Sequence, residues 1–144
     1  MPPDIAQPLT PETAQQILGA HFAPWVQALD LSVLEIGAGH ALFRMPLGDH
    51  LMRVGGMVSG QALAALADTA MVFAAIAHYG SVRTFATTDL HTRFLRPGTG
   101  TAILCRADVV SAGKALVFAK AEMDEESSAR TVASATATFY APRP

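Results

Sequence analysis

Apolar and polar residues alternate with two different periods along this chain, and the changes of period mark its elements. Ile17, Leu18, Phe22, Trp25, Val26 and Leu29 recur at helical spacing. Thr10 stands as an N-cap before Pro11 at the first helical position. Pro24 falls inside this run and predicts a break near Ala23, because proline has no N–H to donate. The stretch LSVLEIGAGHALFRMPLG reads as two strands joined at Gly37-Ala38-Gly39. A loop from Asp49 to Ser59 follows, with Gly55 and Gly56 marking tight backbone. Gly60 then opens a segment, ending at Gly80, that is Ala-rich and apolar on nearly every side. A helix that is hydrophobic all round is a buried one.

After Gly80 the period changes to two. Val82, Thr84, Ala86, Thr88, Leu90, Thr92 and Phe94 form one face of a predicted strand. Small and apolar, that face is expected to pack on the helix. Arg83, Phe85, Thr87, Asp89, His91, Arg93 and Leu95 form the other. Pro97-Gly98 ends the strand. Thr99–Ser111, Ala115–Met123 and Arg130–Tyr140 read as three more, separated by Ala112-Gly113-Lys114 and by an acidic turn at Asp124-Glu125-Glu126-Ser127. The order is therefore helix, two strands, long buried helix, four strands. It predicts an α+β fold, with one sheet of about six strands wrapped around the helix that needs covering. Short loops between the last four strands imply mostly antiparallel pairing. The open face and edges of such a sheet favour oligomerisation.

Composition narrows the function. The chain has 144 residues, 51% of them hydrophobic, enough for one domain with a proper core. A net charge of −2 and scattered cations argue against nucleic acid. Cys105 is the sole cysteine, so no internal disulfide forms, and burial is its default. No signal peptide is read at the N-terminus, and Asp68 argues against a membrane role for the long apolar segment, which makes the cytoplasm the expected location. The five histidines have no metal-ligand spacing. Ser59 in GGMVSGQ is not a nucleophile elbow, and the nearby glycines match neither a dinucleotide nor a phosphate loop. None of these motifs implies a cofactor.

Asp68 is the residue that asks for a function. It is the one Asp, Glu, Lys or Arg between Arg53 and Arg83. A carboxylate in an apolar helix is costly, and Asp is a poor helix former. Two readings stand at this point: a catalytic carboxylate tuned by its surroundings, or a structural Asp that pairs with Arg53 or Arg83 or surfaces where the helix meets solvent. The helix start adds a second chemical element. Free N–H groups there, with Gly60 permitting close approach, could serve as an oxyanion hole. Gly60 and Asp68 are eight residues apart, roughly 12 Å at about 1.5 Å per residue, too far to act on one carbon. Two antiparallel copies would bring Asp68 of one subunit to Gly60 of the other, with two symmetric sites per dimer.

The stretch RVGGMVSGQALAALADTAMVFAA, followed by TTDLHTRFLRPGTG, resembles the hotdog-fold acyl-CoA thioesterases of the phenylacetate-pathway type. A weaker likeness continues through ARTVASATATFYAP, so that residues 31–142 are covered. The resemblance implies a helical extension at 1–30 and a hotdog domain at 31–144. It places Asp68 on the catalytic carboxylate and Gly60 on the glycine whose N–H polarises the thioester carbonyl. Thr87 falls where several members hold the attacking water with Ser or Thr. The family's usual His is Ser59 here, its second Gly is Gln61, and Arg53 stands where some relatives have an Asn near the leaving group.

The implied function is hydrolysis of a small aryl-, short- or medium-chain acyl-CoA without a cofactor, in a homodimer that pairs into a dimer of dimers. Asp68 is then base or nucleophile, and the N–H at Gly60 or Gln61 of the partner is the oxyanion donor. Ser59 is placed near the sulfur and Arg96 near a CoA phosphate, with Met57 and Leu63 in the acyl pocket. Three alternatives remain. A non-catalytic acyl-CoA-binding module on the same fold would bind without releasing thiol. A hydratase or dehydratase would need the His that Ser59 replaces. A purely structural Asp68 would destabilise the fold when changed to Asn.

Overall fold

Thr10 begins α1 (Pro11–His21) through a capping box: its hydroxyl accepts the Thr13 N–H while the Thr13 hydroxyl accepts the Thr10 N–H. The chain breaks where Pro24 predicts, and restarts as the short α2 (Pro24–Gln27) with Ala23 at its cap. The Gln27 amide then donates to the carbonyls of Leu18 and Phe22, holding the corner between the two helices. The computed structural model describes residues 9–142, so the predicted ends of the chain, 1–8 and 143–144, lie outside the described residues.

Among the described residues six strands form one sheet: β1 (Ser32–Gly37), β2 (His40–Pro46), β3 (Ala86–Phe94), β4 (Ala102–Ala112), β5 (Leu116–Glu125) and β6 (Thr131–Tyr140). Their spatial order is β1-β2-β4-β5-β6-β3, and every neighbouring pair is antiparallel. The link from β2 to β3 carries the long helix α3 (Gly60–Tyr79) and crosses from one side of the sheet to the opposite edge. This is the hotdog architecture that the resemblance implies.

The sheet wraps α3 because both surfaces are built of small residues. Val117, Ala119, Ala121 and Met123 alternate toward the helix on β5, with Ala133, Ala135, Ala137 and Phe139 on β6. Opposite them lie Leu66, Ala67, Ala70, Met71, Phe73, Ala74 and Ala75, all fully buried. Facing alanines let the backbones approach closely, while Phe43, Phe73 and Phe139 fill the wider gaps. The helix has the length and hydropathy of a membrane span, but most of its surface is buried inside the protein. Cys105 is buried too, and burial pushes its thiol far above the usual range, which removes it as a nucleophile.

The two edges of the sheet differ. On the β1 side, the Gln15 amide of α1 donates to the Leu31 carbonyl and accepts the Val33 N–H, as another strand would. On the other side β3 pairs with β6 and, among the described residues, with no second strand.

β3 also corrects the predicted alternation. It starts at Ala86 rather than Val82, and its register slips between Thr87 and Asp89. A bulge inverts which side chains face inward. Before it Phe85 packs on the core and Thr87 reaches α3; after it Leu90 does. Thr87 was expected on the face turned away from the helix. One extra residue in the strand places it on the helix side.

Candidate active site

The start of α3 is fixed from both sides. The Val58 N–H donates to the Gly98 carbonyl and the Ser59 N–H to the Leu51 carbonyl. Ser59 then caps the helix: its hydroxyl accepts the Ala62 N–H at 3.2 Å and its carbonyl accepts the Leu63 N–H. Among the described residues, no hydrogen bond engages the N–H groups of Gly60 and Gln61. These two donors, at the positive end of a 20-residue helix, are a place for developing negative charge. The ring of Phe94 lies directly over Gly60, and a Cβ there would meet it at 3.1 Å. The preceding loop is a tight hairpin, with Met52 bridged to Val58 and the Arg53 N–H donating to the Met57 carbonyl. Gly55 and Gly56 both take positive φ at its tip, where a side chain would be strained.

A groove of about 360 Å³ opens at this helix start. Arg53, Met57, Gly60, Leu63, Phe94 and Arg96 are among the residues lining it. Two guanidinium groups and a helix N-terminus, with no carboxylate in the lining, make it cationic. Five residues singled out from the sequence therefore meet in one place. Ser59 stands apart in one respect, because its hydroxyl is engaged in capping.

Asp68 lies two turns further along α3 and faces a different groove, of about 630 Å³. The Thr87 hydroxyl donates to its Oδ1 at 3.0 Å. Burial pushes the carboxyl above its ordinary range, and the Thr87 bond pulls partly the other way. No cation lies within ion-pair distance of Asp68 among the described residues. Arg53 is in the other groove. Arg83 lines the same groove but spends one nitrogen on the carbonyls of Lys114 and Ala141. The ion-pair reading of Asp68 thus loses both of its partners.

Phe22, Val72, Ile76, Val82 and Phe85 give the Asp68 groove apolar walls, and His21 sits at its rim. Sequence reasoning did not find these residues. Phe22 carried the signal of a helix face, and the fold turns that face toward α3, where its ring stacks on Phe73 at 5.2 Å. Met57 and Leu63, expected around the acyl group, line the Gly60 groove.

The arrangement supplies a carboxylate with raised proton affinity beside a hydroxyl, and separately a pair of free N–H donors. A base or nucleophile plus an oxyanion site is the equipment of acyl transfer to water.

Comparison with known proteins agrees. Residues 55–141 match the thioesterase superfamily. A protein of Thermoplasma acidophilum that carries an esterase name is 34% identical over 95 residues, covering 65% of this chain and 70% of its own. A mutant form of the phenylacetic acid degradation protein of Thermus thermophilus superposes with a TM-score of 0.73 at 26% identity, covering 83% of this chain and 99% of its own. A Haemophilus influenzae thioesterase superposes with a TM-score of 0.83 over 93% of this chain and 91% of its own; at 19% identity it speaks for the fold alone. With the hotdog architecture and a half-buried carboxylate on its central helix, the match over most of the domain means that this chain belongs to the thioesterase superfamily and is a thioester hydrolase.

Proposed function

We propose that the protein hydrolyses acyl-CoA thioesters at a site assembled from two subunits. The observation that carries this reading is the separation of the two half-sites on one chain: Asp68 with Thr87 in one groove, Gly60 with Arg53 and Arg96 in another. Neither groove holds a complete set of groups.

The unpaired β3 edge supplies the geometry. Thr87, bonded to Asp68, and Phe94, resting on Gly60, lie toward opposite ends of β3. Two copies of β3 pairing antiparallel about a two-fold axis near Leu90 set Thr87 of one against Phe94 of the other. Asp68 of one subunit then approaches the partner's Gly60. Phe94 and Leu95, each 55% exposed, would be covered by that pairing.

In the composite site the thioester carbonyl points at the N–H groups of Gly60 and Gln61, which stabilise the oxyanion. Asp68, ionised, takes a proton from water as it attacks, or attacks the carbonyl carbon itself to give a mixed anhydride that water then opens. Both routes give one acid and one CoA thiol per thioester and water. Thr87 holds the carboxylate and can orient the water. Arg53 and Arg96 suit the phosphates of CoA. The acyl group extends along the apolar walls of the Asp68 groove.

The test is thiol release from a panel of aryl-, short- and medium-chain acyl-CoAs, with Asp68→Asn alongside. Release that disappears in the variant, with the fold and assembly unchanged, supports the assignment. Unchanged release in the variant would remove Asp68 from the mechanism.

A further inference from the structure

Arg83 is the unexplained group in the Asp68 groove. Its guanidinium lies over the Tyr79 ring, 3.7 Å from the centroid. One terminal nitrogen donates to the Ala141 carbonyl at 3.0 Å and to the Lys114 carbonyl at 3.3 Å. Tyr79 is itself fixed, its hydroxyl donating to the Gly113 carbonyl at 3.0 Å. The Arg83 Nε is buried and has no hydrogen-bond partner among the described residues. No carboxylate lies within ion-pair distance of Arg83 among them. A half-buried guanidinium held in place, with donors to spare and no counter-charge, is costly unless something anionic meets it.

Its position relative to the chemistry gives this cation a use. Asp68, Val72 and Ile76 line the groove from successive turns of α3, and Tyr79 closes the helix beyond them. From Asp68 to Ile76 the helix advances roughly 12 Å, about the length of an extended chain of eight to ten carbons. The groove is thus a carboxylate at one end, apolar walls through its middle, and Arg83 at the far end with His21 at the rim. Asp68 is the sole acidic side chain in its lining.

We propose that Arg83 determines acyl specificity by binding a carboxylate at the distal end of the acyl chain, so that the preferred substrates are medium-chain ω-carboxyacyl-CoA thioesters. This rests on the Asp68 groove being the acyl site. The planar guanidinium, preorganised on Tyr79, would meet the distal carboxylate with charge-assisted hydrogen bonds. The apolar walls would take the methylenes, and a methyl-ended chain of equal length would leave the cation unpaired.

The experiment compares octanedioyl-CoA with octanoyl-CoA in wild type, Arg83→Met and Arg83→Lys. Wild type is expected to favour the ω-carboxy substrate by tenfold or more in kcat/KM. Arg83→Met should lose that preference, read as the ratio of kcat/KM for the two substrates, and Arg83→Lys should keep part of it. Calorimetric binding of both thioesters to Asp68→Asn reads the groove without turnover. Tighter binding of octanedioyl-CoA there, with no hydrolysis by wild type, would sustain the Arg83 contact and overturn the hydrolytic reading. Hydrolysis with equal preference in wild type and Arg83→Met, or a wild-type preference for octanoyl-CoA, would overturn the Arg83 contact alone. Should Arg83→Met fail to fold, the wild-type preference and its partial survival in Arg83→Lys still decide.

Discussion

The two chemically equipped stretches of α3 are built on opposite principles. At Gly60 the backbone does the work: a capped helix start leaves two N–H groups free, and a glycine lets the neighbourhood close over them. At Asp68 a side chain does the work, and the helix there is surrounded by apolar neighbours that the carboxylate disturbs. The Gly60 stretch lies in a cationic groove and the Asp68 stretch in an apolar one. A helix terminus exposes donors at no energetic cost, because they are unpaired in any helix. A carboxylate in mid-helix has to be desolvated, which raises its proton affinity and sharpens it as a base.

Removing the side-chain half should have the largest effect. Asp68→Asn keeps the shape and loses the charge, and kcat should fall by about 10²–10⁴, the usual range for a positioned acid or base. Steady-state thiol release measures it.

The backbone half can be removed separately. Gly60→Pro deletes the N–H at the first helical position, where proline is tolerated. Ser59 already has the extended conformation that a following proline requires, with φ −69° and ψ 147°. Phe94 must yield by a few tenths of an ångström at the tip of its ring. The expected loss is about 10²–10³ in kcat, as for other oxyanion donors. Mixing the two inactive variants then tests the sharing of sites. A heterodimer of Asp68→Asn with Gly60→Pro contains one site with both wild-type groups, so dissociation and reassembly should restore activity. No recovery in verified heterodimers would place both groups in one subunit's site.

A smaller effect is expected from Thr87→Val. Its hydroxyl holds the Asp68 carboxylate and lowers its proton affinity. Without it the carboxyl takes up its proton at higher pH, so the acidic limb of the kcat/KM profile should move toward neutral pH. Above that limb the rate should fall by about tenfold to a hundredfold, since one hydrogen bond to a charged group contributes about 1.5–3 kcal/mol. An unmoved limb would mean that Asp68 is not the group titrating.

The smallest effect is on stability, and its sign separates function from structure. The folded-state pKa of Asp68 is raised by burial, so its contribution to stability is fully present below the unfolded carboxyl pKa and is lost as pH rises through the folded value. Asp68→Asn escapes that loss. Its melting temperature should exceed that of wild type at pH 8, with the gap narrowing on acidification. A purely structural Asp68 would give the opposite sign.

Much of this was legible along the chain. The Thr10-Pro11 start, the break at Pro24, the hairpin at Gly37-Ala38-Gly39 and the Gly60–Tyr79 helix all follow from local rules, because caps, proline and periodicity act over a few residues. Asp68 could be picked out because it stands alone among apolar residues. The β3 bulge was not legible: a single inserted residue leaves the polar alternation intact on paper while inverting the strand in space. Ser59 shows the converse, a site candidate whose hydroxyl the helix start uses for its own cap.

By itself, then, the sequence determined most of the elements, the buried helix and the one charge that the helix carries, since each depends on neighbours in the chain. The tertiary structure alone decided which residues share a groove. It gathered Arg53 and Arg96 around Gly60, turned Thr87 toward Asp68, and brought Phe22 and Arg83 to the groove that Asp68 faces. Those partners come from separate elements, and their meeting depends on strand order, on one bulge and on the path of α3 across the sheet. No local pattern encodes these, because they arise only when the whole sheet closes on the helix.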